Sequence, residues 1–221
     1  MKPTGDELKR AILDSARRMF HDLGYEKTTF QKIADEIGIS KGAITYHFKN
    51  KHFLMIMIFD ECFTAIRNYI DRFPECYRNR YWYEITTYLL LYRTLFENPR
   101  SRELFFLRGN HEMWEVLKVH TIFDLYQGIT ADFHKTVSPE EMMVAANIDV
   151  AARRRLYRLY AEGDPLVSDQ RRFCFYHLQL IGELCHLDQY DIQENIRAAF
   201  DFADTHPLPD IPFLKDDQYC T

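Results

Sequence analysis

Glycine and proline are scarce in this chain, eight of each among 221 residues, about 7% together where globular proteins carry ~12%. That scarcity excludes collagen-like and low-complexity chains and removes most of the support for a turn-rich all-β fold. Long apolar runs are also missing. The longest, Phe53 to Phe59, stops at Asp60 and Glu61, well short of the ~18 residues of a membrane span. The opening Met1-Lys2-Pro3-Thr4-Gly5-Asp6-Glu7 has neither an apolar h-region nor a small-residue cleavage site, so the expected location is the cytoplasm, without a membrane partner. The five cysteines (Cys62, Cys76, Cys174, Cys185 and Cys220) are odd in number and lack C-x-x-C spacing, which argues for reduced thiols rather than a disulfide framework or a structural zinc site. His111, Glu112 and Glu115 share a segment, as do His177, Glu183 and His186, yet neither group has H-E-x-x-H spacing. With no nucleophile beside a base and no phosphate-cradling glycine loop, the expectation is no metal, no cofactor, no catalytic site and no enzyme, with each histidine at the surface or hydrogen-bonded.

What is present is apolar and helical. Hydrophobic residues make up 47% of the chain, enough for a sizeable core. The net charge of −5 divides unevenly. Residues 1–51 hold ten Lys and Arg against seven Asp and Glu, a net +3, and the remainder is acidic at −8. A weakly basic segment on an acidic body fits a small nucleic-acid reader attached to a larger domain. The prolines fall at or beyond the edges of periodic apolar stretches, where no interior helical hydrogen bond is broken. Between them the spacing predicts helices at about 6–23, 29–37, 40–47, 51–72, 79–97, 100–109, 112–134, 139–161, 168–187 and 190–203, and an irregular end from His206.

In the first helix Leu8, Ile12, Ala16, Phe20 and Leu23 share a face, Thr4 and Glu7 have capping-box spacing, and Gly24 supplies the stop. Thr28 and Gln31 repeat the capping-box spacing before Phe30, Ile33, Ala34 and Ile37, and Gly38 ends that short helix. Ser40 offers a cap for the next. Ala34, Gly38 four residues on and Ile44 six beyond that have the arithmetic of a helix-turn-helix. Ala34 is small where two helices cross, Gly38 can take positive φ in the turn, and Ile37, Ile39 and Ile44 fill the wedge. The longer first helix supplies a floor, making a three-helix head.

Gly24-Tyr25, Thr28-Thr29, Ile33-Ala34, the run Gly38-Ile39-Ser40-Lys41-Gly42-Ala43-Ile44, the run Tyr46-His47-Phe48-Lys49-Asn50-Lys51, and Leu54 together resemble the DNA-binding domain of the TetR-type transcriptional regulators. The resemblance covers about residues 6–60; the remainder shares with that family only its length and helical character. Thr45 stands where the family often has an aromatic residue, replacing a stacking or methyl contact by a hydrogen bond. From the residues themselves, Ser40 can cap the recognition helix and aim its N–H groups at a phosphate, Lys41 adds charge, and Gly42 lets backbone approach DNA. Ala43 and Thr45 are the candidates for base edges. Tyr46, His47 and Lys51 are expected at phosphates, as their counterparts are in the family, with Thr28 or Thr29 adding another.

The helix from Lys51 is apolar on more than one face and must be covered by both head and body; in the family its counterpart transmits ligand binding to the head. Twenty-eight of the 33 aromatic residues lie beyond residue 51, which suggests a pocket for an apolar or aromatic molecule. Its candidate lining is Phe63, Tyr88, Tyr92, Phe96, Phe105, Trp114, Phe123 and Tyr126. Phe173, Tyr176, Leu180, Leu184 and Leu187 form a late stripe at helical spacing, where the family places half of a dimeric four-helix bundle. Its partner helix would carry Met142, Ala145, Ile148, Ala152 and Leu156. Arg153-Arg154-Arg155 and Arg158 are expected to pair with nearby acids on a solvated face.

The expectation is an all-α chain. Residues 1–50 form a helix-turn-helix DNA-binding head, 51–205 a helical-bundle domain for ligand binding and dimerisation, and 206–221 an arm. Its partners would be a double-stranded DNA operator, a second copy of itself as a homodimer, and a small-molecule effector that releases a repressor. The rival is a helical ligand-binding or enzymatic bundle whose head has lost DNA binding.

Overall fold

The computed structural model describes residues 4–108, 122–208 and 211. Among these residues there are ten α-helices and no strand. Helices α1 (Gly5–Asp22), α2 (Phe30–Ile37) and α3 (Lys41–His47) make the head, and α4 (Lys51–Ile70) leads out of it. The body follows with α5 (Arg80–Glu97), the short α6 (Pro99–Glu103), which continues into a π-helical turn at Leu104–Arg108, then α7 (Phe123–Asp132), α8 (Pro139–Glu162), α9 (Gln170–Leu184) and α10 (Gln189–Thr205).

The head closes as its spacing demands. Thr4 and Glu7 form the capping box of α1, and Ile12, Ala16 and Phe20 are buried, joined by Leu13. Leu23 departs from the expected stripe: it is the C-cap, 42% exposed. The cap of α2 is Thr29, whose hydroxyl accepts from the Lys32 amide at 3.2 Å, one position later than the Thr28–Gln31 spacing suggests. Gly38 takes φ 70° and ψ 35°, the left-handed conformation that only glycine adopts without strain. Ile33, Ala34 and Ile44 are fully buried around that turn.

The body is organised around α5. Its residues from Tyr81 to Leu95 are buried on nearly every side, as expected of a helix enclosed by others rather than laid on a surface. Helices α4, α7, α9 and α10 pack against it, and α8 pairs with α9. Even Glu84 of α5 is 1% exposed; its carboxylate meets Arg80 at 2.6 Å and Arg67 of α4 at 3.3 Å, the pairing that makes a buried charge tolerable. The predicted helix at 100–109 is broken in character, α-helical to Glu103 and π-helical beyond. The first half of the predicted helix at 112–134 lies outside the described residues.

Candidate nucleic-acid interface and regulatory body

Helix α3 is held at both ends and turned outwards between them. At its start the Ser40 hydroxyl accepts from the Ala43 amide at 3.2 Å. At its end Phe48 is buried. With Ile44 facing the core, the outer side presents Lys41, Gly42, Thr45 and Tyr46, with Ala43 and His47 half-buried along its edges. Tyr46 is 86% exposed, the largest exposure among the big apolar side chains of the described residues. Exposed Thr45 donates its hydroxyl to the Gly42 carbonyl at 3.0 Å. Exposed Thr29 lies at the N-terminus of α2. Thr29, Ser40, Lys41, Gly42, Thr45 and Tyr46 are therefore exposed at the helix-turn-helix, and Ala43 and His47 are partly so.

One expected phosphate contact is corrected, and a second has partners within the head. Thr28 is fully buried, and its hydroxyl donates to the Gly24 carbonyl at 2.9 Å; it closes the turn after α1 and faces no solvent. Lys51 is half-buried. Its ammonium donates to the carbonyl oxygens of Tyr25 at 2.7 Å and Thr28 at 3.1 Å and lies 4.1 Å from the centre of the Tyr25 ring. Burial lowers its pKa, with Glu26 opposing the shift. Two of its three donors are thus committed to the protein.

In the body, Phe63, Tyr88, Tyr92, Phe105 and Tyr126 are buried. The first four form a chain of ring contacts: Phe63 to Tyr88 at 5.7 Å, Tyr88 to Tyr92 at 5.8 Å and Tyr92 to Phe105 at 6.4 Å. Phe96 contacts Phe106, Tyr160 and Phe173, and also lines a surface groove of about 590 Å³ with Leu89, Arg93 and Cys174. Phe123 is half-buried. Trp114 lies outside the described residues.

Against these rings sits a buried polar cluster that the spacing left unread. His177 and Asp149 are fully buried, and Arg153 is 1% exposed. Tyr92 donates its hydroxyl to His177 Nδ1 at 2.8 Å, and His177 Nε2–H donates to Asp149 Oδ1 at 2.5 Å. The Arg153 guanidinium lies over Phe105 at 5.1 Å and Tyr88 at 5.9 Å. Burial acts against the Asp149 charge, but His177 and Arg153 hold its carboxyl below the ordinary range. Burial lowers the His177 pKa despite the opposing pull of Asp149. The expectation of a solvated Arg153 is overturned: Met142, Ala146, Asp149, Arg153 and Tyr157 recur at spacings of three and four on the inner face of α8. That periodicity was the available signal. Arg155 does lie on the solvated side, 3.7 Å from Glu162.

The expected stripe from Phe173 to Leu187 divides, with Leu187 beyond the end of α9. Phe173 contacts Tyr92 at 5.1 Å and Phe106 at 5.3 Å, and Leu187 is 7% exposed; both belong to the protomer's own core. Tyr176 is exposed, and Leu180 and Leu184 are half-buried. On α8, the partner of α9, Val144 is 57% and Ile148 44% exposed. An apolar face is thus left open on this pair of helices. Among the described residues, no helix is long and apolar enough to cross a membrane.

Residues 12–56 match the family model described as "Bacterial regulatory proteins, tetR family". Over 50 residues the chain is 44% identical to the HTH-type transcriptional repressor Rv1474c of Mycobacterium tuberculosis, a stretch covering 23% of this chain and 27% of that protein. Over 90 residues it is 32% identical to IcaR, the biofilm operon icaADBC HTH-type negative transcriptional regulator of Staphylococcus aureus, covering 41% of this chain and 45% of that one. The matches therefore span less than half of these curated relatives. The fold extends further than the sequence. Full-length native TylP, a tetR regulator from Streptomyces fradiae, superposes with a TM-score of 0.55 at 19% identity, over 96% of this chain and 98% of that one.

Proposed function

We propose, for a chain that belongs to the tetR family of bacterial regulatory proteins, that it is a cytoplasmic repressor that binds a pseudo-palindromic operator as a homodimer and is released by a small, largely apolar or aromatic effector. The observation that carries this reading is the outer face of α3. A short helix on a buried floor presents Lys41, Gly42, Thr45 and an almost fully exposed Tyr46. We assign Ala43 and Thr45 to base edges, and Thr29, Ser40, Lys41, Gly42, Tyr46 and His47 to the phosphates that set the register. Two such helices, one from each protomer, would enter successive major grooves ~34–36 Å apart. Names such as "transcriptional repressor" and "negative transcriptional regulator" among the relatives support the sign of regulation.

We assign residues 1–50 to the head, 51–205 to the regulatory body and 206–221 to a C-terminal segment. The open apolar face of α8 and α9, with Val144, Ile148, Tyr176, Leu180 and Leu184, is the assigned dimer surface, each protomer contributing two helices to a four-helix bundle. Effector binding is assigned to the aromatic interior around Phe63, Tyr88, Tyr92, Phe105 and Tyr126. The effector must bind the DNA-incompetent dimer better than the competent one, and DNA opposes effector binding by the same factor.

The test is selection from a randomised duplex library at two salt concentrations, with the wild type and a Lys41→Ala, Tyr46→Ala double variant. The expected result is a palindrome whose binding weakens steeply with salt and which the variant fails to hold. Absence of both enrichment and salt-dependent binding would leave a helical bundle whose head does not read DNA.

A further inference from the structure

A second group of aromatic rings lies apart from those of the interior. Between α4 and α5 the chain makes a single turn of 3₁₀ helix at Pro74–Cys76, and Tyr77, which follows it, is 51% exposed. Asn79 caps α5 by accepting from the Trp82 amide at 2.8 Å, which fixes the first turn of that helix. Against this turn stands the end of α10. Phe202 lies 5.6 Å from Trp82 with the ring planes at 90°, and Tyr77 lies 6.4 Å from Trp82 at 82°. His206 stacks on Phe202 at 4.2 Å. Tyr77, Trp82, Phe202 and His206 line a surface cavity of about 320 Å³, at the small end of the range for ligand sites. Tyr92 stands ten residues beyond Trp82 on α5, about 15 Å along the helix axis, so the cavity is separate from the interior assigned to the effector.

The walls are held in place. His206 Nδ1–H donates to the Phe202 carbonyl at 2.8 Å, and the Phe73 ring meets His206 at 4.4 Å. Tyr69 of α4 donates its hydroxyl to the Pro207 carbonyl at 2.6 Å, which fastens the chain just after His206. Walls fixed in advance do not have to be ordered when a ligand binds.

The charged side chains of the lining are Glu75, Asp201 and Arg78, two negative against one positive. Among the described residues neither carboxylate has a hydrogen-bonding or ion-pair partner, and the Arg78 guanidinium is stacked on no ring. Trp82 is 1% exposed, and its Nε1–H is buried with no acceptor among the described residues, where buried donors are ordinarily satisfied. Ring faces attract cations within about 6 Å, and methylated ammonium groups are the ligands such cages hold best. Ring walls at right angles with unpaired carboxylates at the rim therefore suit a compact methylated cation, and the orphaned indole N–H suits an oxygen on the same molecule.

We propose that this cavity binds a small methylated ammonium compound bearing a hydroxyl or carbonyl oxygen. The rings take the cationic head, Glu75 and Asp201 supply the opposite charge, and Trp82 Nε1–H donates to the oxygen. The experiment is calorimetric titration of the full chain with choline and with its neutral isostere, in which carbon replaces the ammonium nitrogen, in wild type, Tyr77→Leu and Asp201→Asn. Both substitutions fall on exposed side chains and leave the core intact.

Choline is expected to bind saturably in the millimolar range, and the isostere about tenfold more weakly. Tyr77→Leu should weaken choline about three- to tenfold by removing one ring wall, and Asp201→Asn about two- to fivefold by removing an exposed charge. Heteronuclear NMR should show the Trp82 indole N–H resonance, identified by its loss in Trp82→Phe, moving as choline saturates. Absence of saturable choline binding overturns the inference. So does equal binding of the isostere, which would make the cavity an apolar slot, and so does undiminished binding in Tyr77→Leu, which would place choline elsewhere on the chain. None of these readouts needs the head to read DNA, so this inference and the regulator reading fail independently.

Discussion

The ammonium of Lys51 lies over the ring of Tyr25, 4.1 Å from its centre, and donates to that residue's own carbonyl at 2.7 Å. A second bond from the same ammonium reaches the Thr28 carbonyl at 3.1 Å. One lysine at the first turn of α4 therefore ties down both ends of the turn that joins α1 to α2. The Thr28 hydroxyl closes the same turn from inside through Gly24. Thr28 and Lys51 together thus hold the turn that sets the helix-turn-helix on its floor.

Lys51→Met is accordingly expected to weaken operator binding through loosening of the head, leaving the salt dependence of binding close to that of wild type. Lys41→Ala, at the exposed start of α3, should instead flatten the plot of log K against log salt by about 0.9 for each phosphate contact removed. Fluorescence anisotropy over a salt series separates the two. A flattening in Lys51→Met equal to that in Lys41→Ala would return Lys51 to the DNA backbone.

Gly182 sits in the interior of α9, where alanine is ordinarily the better helix former by about 1 kcal/mol. Here the order is expected to reverse. A Cβ at this position would stand 2.7 Å from Ile192 Cγ1 and 2.8 Å from the Tyr81 hydroxyl oxygen, and that hydroxyl donates to the Leu178 carbonyl at 2.8 Å. Gly182→Ala must displace a buried tyrosine together with its hydrogen bond, a cost of about 1–3 kcal/mol. Thermal unfolding should show a Tm lower by roughly 2–4 °C per kcal/mol for a chain of this size. An unchanged or higher Tm would mean that α9 and α10 can part at no cost.

How far the sequence could be read differs from element to element. Gly38, Ala34 and Ile44 place the helix-turn-helix because each is a local requirement, a positive φ or a small or apolar side chain at a crossing. The choice between Thr28 and Thr29 as the cap of α2 could not be made by spacing, since either hydroxyl suits the role and only the path of the turn after Gly24 decides which points inwards. The carbonyl partners of Lys51 were not legible, because an ammonium serves a carbonyl and a phosphate equally well. Arg153 was legible in principle: it falls four residues after Asp149 on the stripe that also carries Met142 and Tyr157. Its chemical character argued for solvent, and periodicity argued correctly for the interior. On α9, periodicity showed an apolar stripe but not how far the body wraps around it, so Phe173 and Tyr176 were grouped although only the latter reaches the surface.

The open face of α8 and α9 makes its own test. Ile148 is 44% exposed and makes little contribution to the protomer's own core, so Ile148→Arg should leave the fold and Tm of an isolated protomer nearly unchanged. In a four-helix dimer the same change buries an unpaired charge, worth several kcal/mol against association. Sedimentation should therefore show a monomer at concentrations where wild type is a dimer, with operator affinity falling as the second half-site contact is lost. A variant that stays dimeric would move the interface elsewhere on the body.

The buried Tyr92–His177–Asp149 chain makes stability depend on pH in a defined direction. Burial lowers the His177 pKa in the folded state, with Asp149 only partly offsetting it, so below the unfolded value of about 6.5 the unfolded chain binds a proton that the folded chain does not. Stability then rises with pH across the interval between the folded pKa and about 6.5, and is lost as pH falls through it. Asp149, held below its ordinary range by His177 and Arg153 against the cost of burial, acts in the same sense but only below about pH 4. Above pH 7 neither group contributes a slope. The limiting slope of one proton, about 1.4 kcal/mol per pH unit, corresponds to roughly 3–5 °C in Tm per unit for a chain of this length. Thermal scans from pH 7.5 to 5 should therefore fall in the acidic half for wild type, and His177→Gln, which keeps a donor for Asp149 but cannot take up a proton, should be less stable throughout and flatter over that range. A Tm that declines equally in both proteins would remove His177 as the source of the acid sensitivity.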